Sequence, residues 1–198
     1  MLGVEPWAIE MIPQPVKAVL LLFPISEKSE EERLETTPSS VPDILYMKQT
    51  IGNACGTIAV LHALSNLAAK QGSGFEDTSY IRRFLGMTRS LSPSDRGEWL
   101  ENDSEIERAH IAIESRGQSS APDREEEVDT HFIAFVLAQD GRTVVELDGR
   151  REGPIVRGMV DSEEHFGTAV LEVIKREFMD RNPEDIRFSI LALAPSIE

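Results

Sequence analysis

Cysteine is almost missing from this chain: one residue, Cys55, among 198. That excludes an intramolecular disulfide and fits a reducing compartment. Basic residues are also few. Twenty Lys and Arg stand against 35 Asp and Glu, a formal net charge of −15. Phosphate backbones are bound by basic faces, so nucleic acid is not expected as a partner. The acidic excess serves solubility, or it steers a basic partner or tail. Long apolar runs are lacking too. The most apolar stretch, Val16 to Ile25, is about ten residues and is broken by Lys17 and Pro24, whereas a bilayer span needs roughly twenty. The opening MLGVEPWAIEM has no basic stretch followed by an apolar one, so it does not read as a secretory signal. The expected location is the cytoplasm or the nucleus, with no membrane association. There are four histidines, and no Cys/His pair has the spacing of a zinc site. Neither a metal nor a cofactor is expected.

What is present reads as one α+β domain over residues 1–198. A short helix opens at Glu5-Pro6, and Val16 to Phe23 reads as a buried strand closed by Pro24. Residues 26–40 are acidic and Ser/Thr-rich, without periodicity, and read as a loop. Residues 53–70 predict a helix with Asn53 as N-cap and Ile58, Leu61, Leu64 and Leu67 at helical spacing, closed by Gly72-Ser73-Gly74. A short helix follows over 78–87. Ser92-Pro93 starts another, expected to run to about Ser115 with an interruption near Gly97. Residues 116–129 lack an apolar pattern and read as a second long loop. His131–Leu137 and Thr143–Leu147 read as strands joined at Asp140-Gly141. A helix over 163–179 and a strand over 188–193 complete the chain.

Two parts of this layout carry chemistry. Cys55 falls near a helix start, where the helix dipole favours the thiolate, the reactive form of a thiol. Gly56 beside it leaves room for a substrate backbone. A lone cysteine is more often buried and inert, so a base is needed. A two-residue turn at Asp140-Gly141 would pair Gln139 with Arg142. It would then put Ile133 opposite Asp148 and His131 opposite Arg150, leaving His131 and Asp148 on a diagonal that side chains can cross. His62 reads instead as a packed helix residue, and His110 and His165 have no partner pattern.

Three blocks, Tyr46-Met47-Lys48-Gln49-Thr50-Ile51-Gly52-Asn53-Ala54-Cys55-Gly56-Thr57, His131-Phe132-Ile133-Ala134-Phe135-Val136 and Glu146-Leu147-Asp148-Gly149-Arg150, resemble the signatures of ubiquitin C-terminal hydrolases, the L3-type in particular. The likeness runs from about Pro13 to the last strand. It implies a papain-like α+β fold of that family's type, a central antiparallel sheet flanked by helices, with a loop crossing the active site at 116–129. It implies Cys55 as nucleophile, His131 as general base and acid, Asp148 as the group orienting His131, and Gln49 with the Cys55 N–H as oxyanion donors. Asn53, Val128 and Asp129 would touch substrate. The implied activity is thiol-dependent release of small or unfolded adducts from the C-terminal glycine of ubiquitin or a ubiquitin-like protein, through an acyl-enzyme, in ubiquitin-dependent catabolism. The expected partner is ubiquitin or a relative, and the expected state is a monomer.

The sequence departs from that family at its start. Family members carry a few tens of residues before the segment matching Val4-Glu5-Pro6, which supply a sheet strand and the threading the family's knot needs, so the expectation is either a longer full-length protein or a shortened form with an exposed sheet edge and the knot in question. The alternative expectation is therefore a ubiquitin-binding pseudoenzyme or an inactive shortened form.

Overall fold

A computed structural model of the protein describes residues 6–26, 30, 31, 33, 35–70, 74–114 and 129–196. A five-stranded sheet in the order β4-β3-β2-β1-β5 organises the chain. Its strands are β1 (Ala18–Pro24), β2 (Thr130–Leu137), β3 (Thr143–Leu147), β4 (Ile155–Met159) and β5 (Ser189–Leu193), and every neighbouring pair is antiparallel. The helices are α1 (Pro6–Glu10), α2 (Cys55–Ala68), α3 (Tyr80–Thr88), α4 (Pro93–Glu101), α5 (Ser104–Glu114) and α6 (Phe166–Ile174). Helix α6 is preceded by a 3₁₀ turn, Glu163–His165, and continues as a π-helical turn, Lys175–Met179. None of the described helices is long and apolar enough to cross a membrane.

Alternation along the strands divides the core. Val19, Leu21 and Phe23 of β1, with Ile133, Phe135 and Leu137 of β2, pack against Phe166, Val170 and Ile174 of α6. The opposite face carries small residues, Ala18, Ala134, Val136 and Ala138, against Ala59 and Ala63 of α2. Short side chains on both partners let this helix lie close to the sheet. A third cluster, with Ile58 and Leu61 of α2, Phe84 and Leu85 of α3 and Leu100 of α4, covers the far side of α2. Helix α2 is thus buried on two faces, which is why its apolar residues exceed the single stripe read from sequence.

Several sequence expectations need correction. The helix over 92–115 breaks at Asn102-Asp103, not near Gly97. Gly97 lies mid-helix because a Cβ there would sit 2.4 Å from the Lys48 carbonyl oxygen. The segment over 26–40, expected to be a loop, has helical backbone at Glu30, Glu31 and Arg33. The β2–β3 connection is not a two-residue turn. Its last backbone bond is Ala138 N–H to Thr143 O, and Asp140 Oδ1 caps the loop by accepting from the Arg142 and Thr143 N–H groups. The register is nonetheless the expected one, Leu137 with Val144 and Ala134 with Leu147. Strand β5 lies at one edge, with Leu191 and Leu193 exposed at 50% and 41%.

Candidate active site

The segment that leads to Cys55 is hung from α2 by polar side chains. Asn66 donates to the Leu45 carbonyl at 2.8 Å and accepts the Leu45 N–H at 2.9 Å. One turn earlier, His62 Nε2 accepts the Met47 N–H at 3.0 Å. Spaced four apart, they meet the backbone groups of residues 45–47 as a neighbouring strand would. Burial holds the His62 imidazole neutral, with its pKa pushed down to about 4. The packed, hydrogen-bonded role expected for His62 is what the structure shows. Residues 45–47 in turn aim the following loop, residues 48–54, at the start of α2.

Cys55 is the first residue of α2, not two residues inside it. Asn53 is not the cap. It takes a left-handed conformation with φ 54°, and Ala54 caps the helix without a side-chain hydrogen bond. An alanine cannot cap through its side chain, and the positive end of the helix lies at the thiol, which suits a developing negative charge. The thiol is half-buried. Burial raises its pKa, but the neighbouring His131 ring, the Phe132 backbone, and the charges of His131 and Arg150 outweigh that, and the net shift is downward.

His131 is fully buried, the second residue of β2. Its Nε2 lies 2.7 Å from Oδ1 of Asp148, which follows β3 directly and is also buried. Nδ1 is therefore the ring nitrogen left for the thiol. It is buried and has no aligned partner among the described residues, and such bonds are often loose until substrate binds. Burial lowers the His131 pKa, but its bond to Asp148, the neighbouring Cys55 thiol and the Asp148 charge override this and raise it. Burial opposes the Asp148 charge in the same way. The His131 contact, the Arg33 guanidinium and the Arg150 N–H hold its carboxyl well below the usual range.

Gln49 joins the two halves of the site. Its N–H donates to the Gly149 carbonyl at 2.9 Å. A Cβ on Gly149 would come within 2.9 Å of Gln49 Cβ and of Ile58 Cγ2, so only glycine allows this approach. The Gln49 side chain donates from Nε2 to the Ile51 carbonyl at 3.0 Å, while its Oε1 is buried and has no partner among the described residues. Of the remaining site candidates, Val128 lies outside the described residues, as do residues 116–128 of the expected crossover loop. Asp129 is exposed and ion-paired with Arg187.

Sequence reasoning missed what surrounds Asp148. Arg33 Nη2 lies 2.7 Å from Asp148 Oδ2, and the Tyr46 hydroxyl lies 2.9 Å from the Asp148 carbonyl and 2.5 Å from that of Arg151. Glu146, fully buried, meets Arg157 at 2.8 Å and Arg151 at 3.3 Å. The one available signal was a set of charges, Glu146, Arg150 and Arg151, flanking Asp148 at the end of a strand that is otherwise buried.

A profile of the family described as ubiquitin carboxyl-terminal hydrolase, family 1, matches residues 1–179. The chain belongs to this family. Ubiquitin carboxyl-terminal hydrolase 3 of Arabidopsis thaliana is 38% identical over 197 residues, covering 97% of this chain and 80% of that protein. A Drosophila melanogaster ubiquitin carboxyl-terminal hydrolase is 40% identical over 199 residues, covering 97% and 84%. Isozyme L1 of Homo sapiens is 39% identical over 198 residues, with the same coverage. Among solved structures, the Trichinella spiralis UCH37 catalytic domain bound to ubiquitin vinyl methyl ester superposes with a TM-score of 0.71 at 25% identity, covering 90% of this chain and 76% of that one. The antiparallel sheet with flanking helices is therefore a ubiquitin carboxyl-terminal hydrolase fold, as expected.

Proposed function

We infer that this ubiquitin carboxyl-terminal hydrolase family member is a thiol-dependent ubiquitinyl hydrolase acting through Cys55. The observation that carries the reading is the buried His131–Asp148 pair, 2.7 Å apart, behind a helix-start thiol with a lowered pKa. Its membership of the family supports ubiquitin as the substrate.

In this reading the Cys55 thiolate attacks the carbonyl carbon of the C-terminal glycine, with His131 holding the proton as an imidazolium. Negative charge grows on the carbonyl oxygen and is met by the Cys55 N–H and the Gln49 amide. The Gln49 amide nitrogen has two hydrogens, so it keeps the Ile51 carbonyl with one and has the other for the oxyanion. His131 protonates the leaving group as the tetrahedral intermediate collapses to a thioester. Its neutral Nδ1 then takes a proton from water, which attacks the thioester and frees the thiol. Asp148 fixes the tautomer in which Nδ1 faces the thiol. Asn53 and Asp129 are assigned to substrate contact on the family likeness alone.

The test is a ubiquitin probe bearing a C-terminal electrophile, followed by peptide mapping. A single adduct on Cys55 is expected, with turnover of a ubiquitin fluorogenic ester or amide. Binding of ubiquitin with neither adduct nor turnover would instead establish a binding protein.

A further inference from the structure

We propose that Arg33 is a positioning residue for this reaction: its guanidinium clamps Oδ2 of Asp148 while stacked on Phe23, and so fixes the carboxylate that orients His131. The proposal rests on the reading of Cys55, His131 and Asp148 above.

A carboxylate that gives one oxygen to a histidine can still rotate about its own axis unless the second oxygen is pinned. In Asp148, Oδ1 takes His131 Nε2 at 2.7 Å and the Arg150 N–H at 3.0 Å. Oδ2 takes Arg33 Nη2 at 2.7 Å, while Arg151 Nε is further off at 3.8 Å. Arg33 thus makes the close contact to the second oxygen. The same nitrogen lies 3.5 Å from Glu146. Glu146 and Asp148 are two residues apart, so they project to the same side, and both are buried. Arg33 separates two like charges that would otherwise repel in a low-dielectric setting.

The guanidinium is built in. Its side chain is only 10% exposed, and it lies 4.4 Å from the centroid of the Phe23 ring and 5.5 Å from that of Phe178. The Phe23 ring also stands edge-on to His131 at 5.8 Å. One aromatic wall therefore backs both the imidazole and the arginine that act on Asp148. A planar guanidinium can stack and hydrogen-bond at once, and an ammonium cannot. The backbone carrying Arg33 is anchored to the same corner. Glu30 meets Arg150 at 3.1 Å, and the Arg33 carbonyl accepts from Arg151.

The charged and titratable groups facing Asp148 come from every side. They are Glu30 and Arg33 on the segment after β1, Cys55 and His62 on α2, and Tyr46 before it. His131 lies on β2 and Glu146 on β3, Arg150 and Arg151 follow β3, and Arg157 lies on β4. Removing Arg33 takes a positive charge from this set and frees the carboxylate. The lost charge by itself favours the imidazolium, so it is the freed carboxylate, and the ring it no longer holds in line with the thiol, that weakens support for the imidazolium–thiolate pair.

Because Cys55 is the only cysteine, its alkylation by iodoacetamide as a function of pH reports that pair directly and needs no ubiquitin. Arg33→Met should move the inflection of the alkylation profile upward. It should also lower kcat on a ubiquitin fluorogenic substrate by roughly tenfold or more, with KM little changed. In an Asp148→Asn background the same change should leave the profile where Asp148→Asn alone puts it. Arg33→Lys should restore the profile in part and leave kcat reduced. An Arg33→Met variant that loses only melting temperature, with the alkylation profile and kcat unchanged, overturns the proposal, as does an additive shift in the Asp148→Asn background. Should Arg33→Met not fold, Arg33→Gln is read the same way. If neither folds, Arg33→Lys decides, and wild-type kcat there overturns the claim for the guanidinium. Wild-type protein that fails on ubiquitin while its alkylation depends on Arg33 would refute the substrate and leave the positioning role standing.

Discussion

At the scale of single residues, the site works by setting one burial term against several contacts. Cys55, His131 and Asp148 are each penalised for carrying charge by their burial, and in each the neighbours reverse that penalty. With the thiol shifted down and the imidazole shifted up, both shifts act in the direction that favours a thiolate–imidazolium pair. Hydrolysis of a ubiquitin ester should therefore show an acid limb below the ordinary thiol value of about 8.5 and a basic limb above the ordinary imidazole value of about 6.5. An acid limb at or above 8.5 in kcat/KM would contradict the pairing. Cys55→Ala should abolish turnover and keep ubiquitin affinity, checked by calorimetry beside a rate assay. Substantial remaining hydrolysis would move the nucleophile elsewhere. His62 makes a separate prediction about stability. Its folded pKa, about 4, lies below the unfolded value of about 6.5. Its neutral form contributes fully above 6.5, and the contribution drains away as pH falls toward 4, by on the order of 3 kcal/mol. Urea unfolding of wild type and His62→Gln across that window should show the slope in wild type alone.

The elements explain why part of this was readable from sequence. Helix α2, the β2–β3 register and the strand bearing His131 are set by local periodicity and turn residues, and these lie within one stretch of chain. The Ser92-Pro93 start was readable for the same reason, and Ser92 Oγ accepts the Asp95 N–H at 3.2 Å. Arg33 was not readable. It sits in an acidic run, and its partners Phe23, Phe178 and Asp148 come from three other parts of the chain. The Gln49–Gly149 contact was hidden likewise, since Asp-Gly reads as a turn until the close approach is seen. The two tight glycines test this level. Gly97→Ala should destabilise by about 1–3 kcal/mol, because a Cβ overpacks against the Lys48 backbone. Its activity below melting should be largely kept. Gly149→Ala has a similar clash but parts Gln49 from the strand end carrying Asp148, so it should lose kcat as well as melting temperature. Equal kcat in the two variants would count against coupling through Gln49.

For the molecule as a whole, the acidic excess gives a prediction about encounter. A net charge of −15 should accelerate approach of a basic tail, and salt screens that attraction. Raising ionic strength from about 0.02 M to 0.3 M should lower kcat/KM several-fold, mostly through KM. A salt-independent rate would leave solubility as the role of the charge. The sheet order has a different consequence. Strand β1 pairs with β2 and with β5, so its partners lie more than a hundred residues downstream. During synthesis the nucleophile therefore emerges well before its base, by on the order of ten seconds at ribosomal speed. Over that interval the nascent chain carries an ordinary thiol with no imidazole beside it. Reactivity arrives late, with the strand that brings His131, so an incomplete chain ending before that strand is chemically quiet.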